Sequence, residues 1–185
     1  MQPDLFKSIS KSGEKGYPVI LGLDPSLTST GYCITNKYRK VIDYGVVKTN
    51  SNNLLCVRVY KITNKIEKII KEYTPNMITC EDQFAGKNYN TLKKLSHVRG
   101  QMMYLASKHK LPMYIYTPGQ IKKAIANHGR ASKEKVANAL RNRYGQLIEN
   151  VEIDLVKKDN ISDAIGAALT YFEDPKKGKR INNPK

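Results

Sequence analysis

Apolar residues recur in two rhythms along this chain, and the change from one to the other marks out its elements. From Tyr17 the run YPVILGLD is almost wholly apolar, as in a strand buried on both faces, and it closes on Asp24. Pro25, Ser26 and Thr28 read as its exit turn. A second strand over Tyr32-Cys33-Ile34-Thr35 and a third over Val41 to Thr49 follow after short connections, which predicts an antiparallel meander. The rhythm then turns helical. Leu55, Val59, Ile62, Ile66, Ile69 and Tyr73 share one face, with Arg58, Lys61, Lys65 and Lys68 among the rest. Pro75 ends this helix, and Met77 to Glu81 makes a fourth strand. A long helix over about 90–109 turns Leu92, Leu95, Val98, Met102 and Leu105 inward. Gly100 inside it costs about 1 kcal/mol relative to Ala, so another element is expected to pack closely there. Pro112 to Tyr116 is a fifth strand. Thr117 and Pro118 open a helix to about Ala126. Ser132 caps another, with Ala137 and Leu140 inward, and an Ala- and Ile-rich helix spans about 160–172.

This order predicts an α/β fold, a mixed five-stranded sheet flanked by helices. The length of 185 residues suits one domain. Residues 1–16 read as a flexible polar arm, 17–173 as the domain, and 174–185 as a basic, disordered tail. No window approaches a membrane span, and the first residues lack the apolar centre of a secretory signal, so a cytoplasmic location is expected. Cys33, Cys56 and Cys80 stand far apart inside apolar patterns and read as buried free thiols.

Charge narrows the choice of partner. The chain carries 32 Lys and Arg against 16 Asp and Glu, a net +16, which favours a polyanion. No helix joins a basic face to a strongly apolar one, so nucleic acid is expected rather than a membrane. Against this basic background three carboxylates sit beside apolar runs. Asp24 ends the first strand, Glu81 ends the fourth, and Asp163 lies near the start of the last helix. Each has an ordinary reading as a turn cap or an ion-pair partner. Gathered at one end of a sheet, they need a hard cation, and two Mg²⁺ about 4 Å apart would activate water and stabilise a phosphodiester leaving group.

Five segments then follow one another in order between Val19 and Phe172: LGLDPSLTSTGY, CEDQFAGKN, LSHVRGQ, HGRASKEKV and SDAIGAAL. Together they resemble the RuvC-type Holliday junction resolvases of the ribonuclease H-like superfamily, although Ser26 departs from the family's usual Asp-Pro-Gly. The resemblance implies a ribonuclease H-like sheet of five strands, a homodimer, and paired Mg²⁺-dependent nicks across a four-way DNA junction in a bacterial or phage-infected cell. Mn²⁺ would substitute for Mg²⁺. Carried over by position, Asp24, Glu81 and Asp163 are metal ligands, and Lys122 and Lys133 lie near the scissile phosphate. Phe84, in the polar loop DQFAGKN, matches the aromatic inserted at the junction core. Lys87, Arg99, His128, Arg130, Lys133 and Lys135 would complete the DNA-binding surface, and the helix with Arg99 and Gly100 would be the dimer helix. The family's last helix offers two metal-binding residues three apart, and here they fall on Asn160 and Asp163. Asn160 is therefore expected to ligate through its amide oxygen, with Asp159 as rival ligand or helix cap. Two other readings stay open: a different ribonuclease H-like nuclease acting on branched DNA or RNA, and a non-catalytic junction-binding protein.

Overall fold

A computed structural model describes residues 17–82, 89–149, 151, 159–174 and 178–182, with the backbone alone for 89–91 and 159. The meander is present: β1 (Ile20–Asp24), β2 (Ser29–Thr35) and β3 (Val41–Lys48) pair antiparallel. Helix α1 (Leu55–Tyr73) leads to β4 (Met77–Glu81), which lies parallel to β1. Helix α2 (Tyr89–Lys108) leads to β5 (Met113–Tyr116), parallel to β4. Helices α3 (Pro118–Ala126), α4 (Lys133–Tyr144) and α5 (Asp159–Glu173) follow. With β6 (Lys179–Arg180) at one edge, the sheet order is β3-β2-β1-β4-β5-β6, which leaves β1 between an antiparallel neighbour, β2, and a parallel one, β4.

Two cores lie on the two faces of this sheet. Leu21, Leu23, Ile78 and Cys80 pack with Ile62, Ile66 and Ile69 of α1 and Val98, Met102 and Leu105 of α2. Ile20, Met77 and Tyr116 pack with α3, α4 and the Ala- and Ile-rich α5. Alternation along a strand separates the faces, so Asp24 and Glu81 share the α5 side with Ile20 and Met77.

Four expectations need correction. The sheet has six strands, because Lys179–Arg180 forms β6 antiparallel to β5. The tail expected to be disordered is thus anchored in part. Ile181 N donates to Met113 O, and the Asn182 amide receives Met113 N at 2.7 Å while donating to Leu111 O at 2.8 Å. These bonds satisfy backbone groups on the open edge of β5, which a period-two pattern only two residues long cannot announce. Truncation after Asp174 is expected to cost about 1–3 kcal/mol, read as a lower Tm in thermal unfolding. An unchanged Tm would mean that this edge contributes nothing. Second, Gly100 has no atom within 4 Å of where a Cβ would stand, so none of the described residues packs there. Third, Cys33 and Cys80 are buried, but Cys56 is exposed at the start of α1. Fourth, Arg58 is 8% exposed instead of facing solvent, because its guanidinium meets acceptors just before β2 and just after β3.

Candidate active site

Two parallel strands, β1 and β4, carry their carboxylates out at the same end. Leu23 is level with Cys80, so Asp24 and Glu81 leave the sheet side by side on the face covered by α5. Carboxyl ends of parallel strands are where α/β folds place their chemistry. Helix α5 brings the third group, and two glycines decide how near it comes. A Cβ at Gly22 would stand 2.3 Å from the Ala164 carbonyl oxygen, and one at Gly31 would stand 1.9 Å from that of Asn160. Only bare backbone fits under the helix at these points. Gly31 is the register partner of Asp24, so the first turn of α5 is seated directly beside that carboxylate.

Asn160 and Asp163, three apart, lie on one side of this turn. The Asn160 amide nitrogen donates to Asp24 Oδ2 at 3.0 Å, and its oxygen accepts from Ser29 Oγ at 3.3 Å. Glu81 is pushed up to about 8, first by burial and then by the charges of Asp163 and Asp24, with Lys122 and Lys133 opposing the rise. Glu81 therefore lies within electrostatic range of all four groups. Among the described residues, no three His, Cys, Asp or Glu side chains are gathered tightly enough to hold an ion as they stand. The donor set nonetheless fits a hard dication. Its groups are oxygen donors, and the crowding that pushes Glu81 upward is what a positive ion relieves.

The cations come from the next two helices. Thr117 caps α3 with a full capping box, its side chain accepting from Gln120 N while the Gln120 side chain receives Thr117 N. Ser132 caps α4 by accepting from Lys135 N at 3.3 Å. Lys122 is half-buried on α3, and Lys133 is the exposed first residue of α4. The turn between these helices folds back on α3, with Gly129 O 3.8 Å from where a Gly119 Cβ would stand. His128 and Arg130 are exposed on it, the His128 ring accepting from Arg130 N, and Lys135 is exposed one turn into α4. Arg99 does something that its expected DNA role does not include: its guanidinium meets Asp82 at 2.5 Å, tying α2 to the residue after Glu81. Phe84, Lys87 and the Asp159 side chain lie outside the described residues.

Three structural contributors were not singled out from the sequence. Ser29 holds Asn160. Arg58 grips the turn after Asp24 through Leu27 O and Thr28 Oγ1, and its Nε donates to Thr49 Oγ1 at 3.0 Å. Gly22 lets α5 descend, and a glycine inside a strand pattern was a signal of close backbone approach. No local pattern pointed to Ser29 or Arg58, whose partners are far away in the chain.

The family model for crossover junction endodeoxyribonuclease RuvC matches residues 20–171. This chain belongs to that family. The RuvC of Alkaliphilus metalliredigens (strain QYMF) is 34% identical over 157 residues, covering 83% of this chain and 92% of the relative. That of Rickettsia conorii (strain ATCC VR-613 / Malish 7) is 33% identical over 155 residues, covering 82% and 95%. The solved structure of T. thermophilus RuvC in complex with Holliday junction substrate is similar at a TM-score of 0.77 and 26% identity, covering 89% of this chain and 99% of that one. The matched segment runs from the first strand to the penultimate residues of α5, so every RuvC element that builds the carboxylate cluster lies within it.

Proposed function

We propose that this RuvC-family endonuclease resolves four-way DNA junctions by paired nicks, with Asp24, Glu81 and Asp163 holding Mg²⁺ and Lys122 and Lys133 facing the phosphate. The observation that carries the reading is that β1 and β4 bring Asp24 and Glu81 out at one end of the sheet beneath the first turn of α5, with Asp163, Lys122 and Lys133 within electrostatic range of Glu81, in a chain of net charge +16. Bound there, Mg²⁺ would polarise the phosphodiester and activate water, with Mn²⁺ as a substitute and two ions per site in the full arrangement. The protein's own groups do the rest. Lys122 and Lys133 put positive charge opposite the carboxylates, where the non-bridging oxygens of a phosphodiester have their negative charge. Arg130, Lys135 and His128 extend that charge along the exposed turn and helix, positioning a backbone without reading its sequence. Arg99, through Asp82, fixes the root of the segment that carries Phe84 and Lys87.

A pair of nicks calls for two copies of the site. The open side of α2 at Gly100, with exposed Met103 and Tyr104 beside it, supports a homodimer through this helix. Among the described residues no helix is long and apolar enough to cross a membrane, and a substrate of DNA puts the enzyme in the cytoplasm of a bacterial or phage-infected cell.

The test is direct. The protein is incubated with Mg²⁺ and, separately, a four-way junction, a duplex, a replication fork and an RNA–DNA hybrid, and the nicks are mapped. Symmetric nicks confined to the junction are expected, whereas equal cutting of the hybrid would transfer the chain to another ribonuclease H-like activity. Phe84→Ala is expected to bind the junction and cut it poorly, since stacking on an unpaired base contributes about 1–3 kcal/mol. Wild-type cleavage, with an unchanged signal from a fluorescent base at the crossover, would remove Phe84 from the mechanism.

A further inference from the structure

We propose that Asn160 serves this site as a hydrogen-bond donor that orients Asp24, and that Ser29 is the positioning residue that locks the amide in that orientation. The inference deepens the metal-dependent reading above and rests on it.

The geometry leaves the amide one sensible orientation. Its nitrogen stands 3.0 Å from Asp24 Oδ2 and its oxygen 3.3 Å from Ser29 Oγ. Turned over, it would set its oxygen against a carboxylate oxygen, two acceptors with no hydrogen between them. The residue cannot shift as a whole either, because its carbonyl already lies against the bare backbone of Gly31. For the amide oxygen to reach an ion, it must leave the Ser29 hydroxyl and the nitrogen must leave Asp24. Ser29 is itself well held. Arg58 grips the carbonyl of Leu27 and the hydroxyl of Thr28, the residues just before it, and Thr49 N donates to Thr28 O.

The relay Ser29–Asn160–Asp24 thus fixes a first-strand carboxylate before any cation arrives. A second aspartate at position 160 would instead repel Asp24 until an ion came between them. The site has one carboxylate fewer than the two-aspartate pattern and gains a preset Asp24 orientation in return. Partners that orient a metal ligand in this way affect affinity by about 10- to 100-fold when removed.

Mn²⁺ titration of the full chain without DNA, followed by water-proton relaxation, separates the roles by sign. If Asn160 is a donor held by Ser29, Ser29→Ala loosens Asp24 and weakens Mn²⁺ binding by about threefold, one neutral hydrogen bond. Asn160→Ala weakens it about tenfold, and the double variant is no weaker than Asn160→Ala alone. Ser29→Thr, which keeps the hydroxyl, restores wild-type affinity. If the amide oxygen were a ligand, Ser29→Ala would free it, so Mn²⁺ binding that is tighter or unchanged overturns the proposal. Asp24→Asn is the control for the parent reading. If it leaves Mn²⁺ binding intact, the ion is not held at this site, and the wider assignment fails whatever Ser29 does.

Discussion

Asp24→Asn, Glu81→Gln and Asp163→Asn are each expected to yield a protein that binds a four-way junction and does not cut it. Affinity for the DNA comes from cations meeting phosphates, and these changes remove none of the basic residues. Each does remove a negative charge facing the substrate, so binding should be unchanged or tighter. The chemistry depends on the oxygens that hold the ion. Losing one should cost several kcal/mol of transition-state stabilisation, roughly a thousandfold in rate or more. Single-turnover cleavage beside a gel-shift titration measures both quantities. A variant that cuts at the wild-type rate takes its residue out of the site.

Glu81→Gln should have a second effect, opposite in sign. In the folded, metal-free chain the Glu81 carboxyl titrates at about 8, against about 4.5 for an ordinary glutamate. Because the folded value is the higher one, its contribution to stability is fully present below about pH 4.5 and is lost as the pH rises through 8. A glutamine carries no charge to lose. The variant should therefore match the parent near pH 4 and be the more stable protein near pH 8. The group is partly open to water, which reduces the difference to on the order of 1–3 kcal/mol. Thermal unfolding at the two pH values, with a chelator present, reads it. A constant difference across the range would mean that the carboxyl is not under strain. On the expected result the dead enzyme is the sturdier one near pH 8, as where like charges are held together for function.

Gly31→Ala is expected to damage fold and activity together. The new Cβ would stand 1.9 Å from the Asn160 carbonyl oxygen, and backbone on both sides cannot yield as a flexible side chain can. Relief requires the first turn of α5 to lift, which separates Asn160 from Asp24 and draws Asp163 away from Glu81. Overpacking of this kind costs about 1–3 kcal/mol and more where backbone is involved. Gly45 makes a useful contrast. A Cβ there meets the Tyr32 ring at 2.9 Å, in the core on the sheet face opposite α5, so Gly45→Ala should destabilise without a specific loss of cutting by the folded fraction. Equal specific activity of folded Gly31→Ala and wild type would show that the seating of α5 does not set the site.

The strands and helices were legible because their apolar periods are long and their stops explicit: Pro75 after α1, Thr117 with Pro118 before α3, Ser132 before α4. That Asp24 and Glu81 leave the sheet together was legible because a carboxylate closing an apolar run stands out in a basic chain, and their two strands are neighbours. What escaped was set by partners far along the sequence. Arg58 stands one turn before Ile62, the next buried residue of α1, and the acceptors that draw it inward are Leu27 O and two threonine hydroxyls outside the helix. The orientation of the Asn160 amide depends on Ser29, 131 positions away. The close approach expected at Gly100 is made by none of the described residues of this chain. Strand β6 is two residues long and adopts its form because β5 has an open edge.

The order of elements has a consequence for how this enzyme is made. A nascent chain presents β1, β2 and β3 first, and a meander can pair as soon as it clears the ribosome. Asp24 is then in place, but α5 emerges after every helix and strand up to α4 has been synthesised. Until it arrives the groove over Gly22 and Gly31 lies open, and neither Asn160 nor Asp163 is present. On the proposed assignment an unfinished polypeptide therefore cannot cut DNA, although its basic residues can still bind it. It also carries an uncovered apolar face along β1 and β2, which invites chaperone binding during the last seconds of translation.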